Sequence, residues 1–206
     1  MLSRIQRVLT ELYDLGPAAD VECFVCGEEL LEALVGEEAA HRREVLLVHE
    51  DEEGVNVALY LDEEVLTQLR SERPGFDAIV LATEGVSHFL YLSFRERNDE
   101  RVSRLELELQ AEVDKYAASL LAGNGVGAIR ERSRALRQRL FAQASFLDAP
   151  DTPEGERYRI AHRAAARYAL RLERCFVDEG RLEELLIELR RFYRLGPRGK
   201  LAVARN

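Results

Sequence analysis

The sequence carries none of the short signatures that fix a reaction. It has no G-x-S-x-G nucleophile elbow, no H-E-x-x-H pair and no Walker or Rossmann glycine fingerprint. Cysteine is scarce. Cys23, Cys26 and Cys175 are too few and odd in number for a disulfide scaffold, which points to a reducing cytoplasm. Lysine is scarcer: Lys115 and Lys200 stand among 29 basic residues, so the rest are arginine. The codon bias of a GC-rich bacterial genome explains that without a ligand. Aromatics make up 7%, too sparse for the interleaving that single-stranded nucleic-acid binding uses. Residues 1–7 run straight into an amphipathic pattern, without the apolar region of a secretory signal. The most apolar stretch, 76–94, contains Asp77, Glu84 and His88, which argues for a buried helix rather than a bilayer span.

What remains is an ordinary foldable composition, 47% hydrophobic and 33% charged over 206 residues. That excludes collagen-like, low-complexity and disordered chains. We expect one domain over 1–206, with the nearest thing to a boundary at 148–153 and a loose basic tail at 196–206. The net charge of −9 disfavours nucleic acid and anionic membrane as partners. Residues 1–100 hold 23 acidic residues against 8 arginines, −15, whereas 101–206 hold 15 against 21 basic residues, +6. Two such halves can pair on folding or offer different faces to partners.

Periodicity predicts mainly helix. Leu2, Ile5, Val8, Leu9, Leu12 and Leu15 repeat at helical spacing before Gly16-Pro17. Further helices are expected over 28–35, 63–70 (capped by Asp62), 76–95, 101–121, 128–141, 154–176 and 180–194. Residues 44–48 and 55–61 read as a β-hairpin around an acidic loop of about five residues. Residues 20–25 could add a third strand, because two strands alone are marginal. The fold class is therefore α+β, mainly α: a bundle of six to eight helices with a small antiparallel hairpin or three-stranded sheet near the N-terminus.

One polar constellation stands out. Glu84, Ser87, His88 and Tyr91 lie 0, 3, 4 and 7 apart on the otherwise apolar helix 76–95, so they share a face. If helix 101–121 runs back antiparallel from a turn near residue 98, facing residues have numbers that sum to about 196. His88 then meets Glu108, Glu84 meets Glu112, and Lys115 lies one turn beyond. Carboxylates and an imidazole on facing helices can hold a divalent metal or work as an acid–base pair. A buried ion-pair network that fixes helix register would gather the same residues. The spacing differs from the Glu-x-x-His of di-iron bundles, because three residues separate Glu84 from His88.

Other patterns are weaker. Cys23-Phe24-Val25-Cys26 with His41 and His49 has the wrong histidine spacing for a zinc finger and reads as two small, mostly buried residues of a β segment. Arg159, Arg163, Arg167 and Arg171, four apart, repel one another and call for anions. Those anions could be carboxylates of this chain, a sister subunit or phosphate groups. Arg130, Arg134 and Arg137 form a second row. Residues 123–127, rich in glycine, read as an inter-helix turn. His162, among alanines, reads as a core or boundary histidine. The sequence thus favours a non-catalytic interaction protein with a protein partner or self-association. The alternative is a metal-dependent or acid–base enzyme built on the Glu/His constellation.

Overall fold

In the computed structural model, residues 1–36, 41–52, 54–122 and 128–205 are described. Two long antiparallel helices, α4 (Phe76–Glu96) and α5 (Arg104–Leu121), form the centre. Both faces of α4 are covered. Ala82, Val86, Phe89, Leu90 and Tyr91 are buried along it, so nearly every turn contributes to the core. On α5, Leu109, Val113, Tyr116 and Leu120, at spacings of four, three and four, form a buried stripe. Each such large side chain removed from water contributes roughly 1.5–3 kcal/mol.

The remaining elements pack on this pair. Helix α1 (Leu2–Tyr13) lies against α4 and ends at Asp14 in the left-handed region. Helix α2 (Glu28–Val35) precedes the hairpin of β2 (Glu44–Asp51) and β3 (Gly54–Leu61), and α3 (Glu63–Arg70) follows it. Asp62 caps α3 by accepting from the Glu64 N–H at 2.7 Å. Helix α6 (Ile129–Arg137) and helix α7 (Pro153–Leu172) each continue into a wide π turn, Gln138–Ala142 and Glu173–Val177. Helix α8 (Leu182–Arg194) packs on α1, and α9 (Pro197–Arg205) on α7. Among the described residues, no helix is long and apolar enough to cross a membrane.

Three expectations need correction. The described residues contain nine α-helices, not six to eight. The additional one is α9, in the stretch 196–206 where the basic composition suggested a loose tail. Proline at its first position presets the helix, and Lys200, fully buried, points its ammonium at the Tyr91 and Phe192 rings from 4.3 and 4.7 Å. The sheet is also mixed rather than antiparallel. Asp20 caps a 3-10 turn over Val21–Phe24, which leaves two residues, β1 (Val25–Cys26), to pair parallel with Leu59 and Tyr60 of β3. Finally, the hairpin strands run to the pair Asp51↔Gly54, so two residues separate them rather than about five. Backbone pairing carries both strands beyond their covered halves, since residues 48–51 and 54–56 are exposed.

One glycine sets the distance between sheet and helix. A Cβ on Gly85 would lie 2.8 Å from Leu59 Cδ1 and 3.2 Å from Glu44 Cγ. Its absence lets β2 and β3 press directly on α4. Leu59 and Leu61 fill that side, while Tyr60 packs with Leu31 of α2 on the other.

Candidate metal centre and cleft

The antiparallel register brings Glu84, His88 and Glu108 together, and the close approach at Gly85 adds Glu44 from β2. The His88 ring lies between carboxylates, with Nδ1 3.2 Å from Glu44 Oε1 and Nε2 3.8 Å from Glu108 Oε2. Its side chain is 7% exposed, and Nε2 is buried without a hydrogen-bond partner. One donor atom each from Glu84, His88 and Glu108 lies within 4.8 Å of the others. Donors on a first-row metal sit about 3–4 Å apart, at bonds of about 2.1 Å, so a small inward movement closes this set.

The electrostatics follow from burial against charge. Burial alone would lower the pKa of His88. The charge and hydrogen bond of Glu44, with the charges of Glu108 and Glu84, outweigh it and push the ring up to about 9. Burial pushes Glu108 up to about 7; His88 opposes that rise, while Glu84 and Glu44 add to it.

A second group adjoins the first through Glu84. Lys115 Nζ donates to Glu84 Oε2 at 3.0 Å and to Glu112 Oε1 at 2.7 Å. The other Glu112 oxygen lies 3.3 Å from His162 Nδ1, and His162 Nε2 donates to the Phe141 carbonyl at 3.1 Å. That carbonyl belongs to the π turn after α6, where the widened backbone turns it toward α7. Burial would raise Glu112, but Lys115 and His162 hold it down to about 2. His162 itself is raised, because Glu112 and the Phe141 carbonyl outweigh burial.

Ser87 and Tyr91 do not join these groups. Their side chains pass to the opposite flank of α5. Ser87 donates to Asp114 Oδ2 at 2.5 Å, and Gln110 donates to Asp114 Oδ1 at 2.7 Å. Tyr13 also donates to Asp114, while Lys200 donates to Gln110. Burial holds Asp114 above the usual carboxylate range and Lys200 below the usual ammonium range. Tyr91 donates to Glu106 at 2.8 Å and accepts from Arg95 at 2.8 Å. The sequence-predicted face is therefore two faces, divided by α5.

Glu44 and Glu84 of the cluster reach a cleft of about 340 Å³, whereas His88 and Glu108 line the wider groove along β2. Glu44, Glu84, Glu112, Lys115, Tyr158 and His162 line the floor of the cleft. On the rim, Arg42 grips Asp148 with two hydrogen bonds of 3.1 and 2.8 Å, and Arg139 pairs with Asp77 at 2.9 Å. Glu44, Arg42 and Tyr158 line the groove as well, so they stand between the two openings.

The arginine row on α7 is not gathered at one place. Arg159 donates to the carbonyls of Asp148 and Gly155 and covers the Phe146 ring, and Arg171 pairs with Glu188 at 3.0 Å. Arg163 and Arg167 are exposed. In the second row, Arg134 pairs with Asp178 and Arg137 with Glu173. These partners lie in the basic half itself, while Arg42–Asp148 and Arg139–Asp77 cross between the halves. Cys23 is exposed rather than buried, because the 3-10 turn replaces the expected strand, and Cys26 is half-buried. The glycine-rich stretch 123–127 lies outside the described residues.

Sequence reasoning missed Glu44 and left His162 without a partner. Nothing local marks Glu44, which is one acid among many at the start of a strand. His162 could have been found by asking which acidic residue on α5 faces α7, since Glu112 is four residues from Glu108. A scan against protein-family models, a search of curated proteins and a search of solved structures each return no match. The side chains alone carry the functional reading.

Proposed function

We propose that this chain is a metal-binding protein, holding one divalent ion at Glu84, His88 and Glu108. The observation that carries the reading is His88 Nε2, buried and without a hydrogen bond, facing Glu108 from 3.8 Å. A buried ring nitrogen without a hydrogen bond costs free energy, and a metal would satisfy it. One imidazole with carboxylates suits Mn²⁺, Fe²⁺ or Zn²⁺ rather than thiolate-seeking ions. The Glu44 carboxylate on Nδ1 would fix the ring orientation, as the outer partner of a ligating histidine usually does.

Binding must displace the His88 proton and, near neutrality, that of Glu108. With these groups at about 9 and about 7, affinity for Mn²⁺ should rise by about two orders of magnitude from pH 6.5 to 8.5. Calorimetric titration at the two pH values tests this, with Glu108→Gln as control. Flat affinity across that range, or equal affinity in the variant, contradicts the reading.

A second reading, an interaction surface, is favoured by exposed aliphatic residues around α2 and the hairpin: Leu34 at 63%, Val48 at 49% and Leu30 at 42%. Light scattering of the wild type against Leu34→Glu checks it. A monomer at every concentration in both proteins counts against self-association.

A further inference from the structure

Strand β2 ends the sheet with one side unused. In the order β1-β3-β2 it bonds to β3 alone. The ladder decides which of its backbone groups face outward. The Asp62 N–H donates to the Arg43 carbonyl at 2.9 Å, one step beyond the pair Glu44↔Leu61. Bonded and non-bonded pairs alternate along an antiparallel ladder, so Val45, Leu47 and His49 are bonded to β3. Glu44, Leu46, Val48 and Glu50 turn N–H and C=O away from it, and those groups meet no acceptor or donor among the described residues. Natural edge strands are commonly blunted by proline, lysine or a bulge. β2 has none of the three, and its eight residues keep one register throughout.

The space beside this edge is a groove of about 1310 Å³, larger than the roughly 300–1,000 Å³ of small-molecule sites. Both faces of β2 line it. Leu46 packs toward the main core, and Val48 shares its face; Val45 and Leu47 pack on the other side with Leu31 and Tyr60. A groove that takes in both faces of a strand passes around its free edge. Leu92 and Val102 extend its apolar lining on one side and Leu34 on the other. A strand laid along β2 would alternate its side chains between these two aliphatic surfaces.

The charges choose the occupant. Among the described residues that line the groove, seven carboxylates stand against four arginines. Arg42 is committed to Asp148, outside the groove, whereas Glu50, Glu96 and Asp99 form no ion pair among the described residues. Arg101 and Arg104 are also without one, which reduces the negative surplus and does not reverse it. A second copy is disfavoured, because antiparallel pairing of two β2 strands would set the Glu44 end of each against the acidic Glu50-Asp51 end of the other.

We propose that β2 receives an extended, basic, aliphatic-rich polypeptide segment as a fourth strand, its backbone bonded to Leu46 and Val48 and its cations drawn by Glu50, Glu96 and Asp99. The proposal is independent of the metal reading; it rests on the interaction reading above and names the partner's chemistry.

Fluorescence anisotropy with a labelled, blocked octapeptide of alternating valine and lysine tests it, with the valine–glutamate octapeptide as control and amide hydrogen exchange followed by NMR on the complex. The lysine peptide should bind at least about tenfold tighter at low salt, and added salt should narrow the gap. The amides of Leu46 and Val48 should exchange at least about tenfold more slowly in the complex, while those of Leu47 and His49, already bonded to β3, change little. Val48→Pro removes an outward donor and no bond to β3, so affinity should fall at least about fivefold. Val48→Lys keeps the ladder intact and sets a cation against the peptide, and should weaken binding by a similar factor. Equal affinity for the two peptides, binding that leaves the Val48 amide unprotected, or unchanged affinity in Val48→Lys overturns the inference. A protein that ignores both peptides yet self-associates, and loses self-association in Leu34→Glu, overturns it and leaves the interaction reading standing. A monomer that ignores both peptides overturns both.

Discussion

Deprotonating His88 should cost the metal-free protein a large part of its stability. In the fold the ring titrates at about 9, against an ordinary 6.5. A raised histidine contributes stability that is fully present below 6.5 and is lost as pH rises through 9. Two and a half units at about 1.4 kcal/mol each amount to about 3 kcal/mol. That is a substantial share of the 5–15 kcal/mol typical of a whole protein. The assay is urea unfolding of the chelator-treated protein at intervals from pH 6 to 9.5, for the wild type and His88→Gln. His162 and Lys200 also titrate between folded and unfolded states, but they are present in both proteins; Glu108, which the His88 charge holds down, moves with the substitution, so the difference between the curves reports His88 together with its carboxylates. The wild type should lose about 3 kcal/mol relative to the variant across that range. Parallel curves would refute the reasoning, because the Glu44 and Glu108 carboxylates would then not be holding the proton.

Two other perturbations address how the site is positioned. Gly85→Ala places a methyl 2.8 Å from Leu59 Cδ1 and 3.2 Å from Glu44 Cγ, so the sheet must move off α4. Thermal melts should show a loss of about 1–3 kcal/mol, and manganese affinity should fall as Glu44 is displaced; an unchanged melting temperature contradicts the close packing. Arg42→Ala removes a two-pronged but partly exposed pair with Asp148, so stability should change by less than about 1 kcal/mol. Limited proteolysis should nonetheless cut faster within 143–152, and an unchanged cleavage pattern would show that this bridge does not hold the loop.

Much of this arrangement was legible because it is local. Glu84 and His88 are four apart on one helix, and a short turn fixes which residues of the next helix can face them. The start of α3 was likewise written in its cap, Asp62. Ser87 and Tyr91 were misplaced because they sit at the edge of the same face. A rotation of the helix by a fraction of a turn sends them past α5 to Asp114 and Glu106. Glu44 was illegible because its place depends on how closely a strand packs on a helix forty residues later in the chain, through a glycine whose role only the packing reveals. Lys200 was misread for a related reason. A basic, short C-terminal segment predicts solvent, yet Tyr91, Phe192 and Gln110 together supply a buried seat that no local pattern announces.

The central claim is that His88 Nε2, buried without a hydrogen bond, belongs to a metal. Metal content per chain, measured on protein purified without chelator at pH 8, tests it most directly, for the wild type and His88→Gln side by side. The account predicts close to one divalent ion per chain in the wild type and almost none in a variant that remains folded by circular dichroism. Metal-free wild type after exposure to Mn²⁺, Fe²⁺ and Zn²⁺, or equal metal in both proteins, would contradict it.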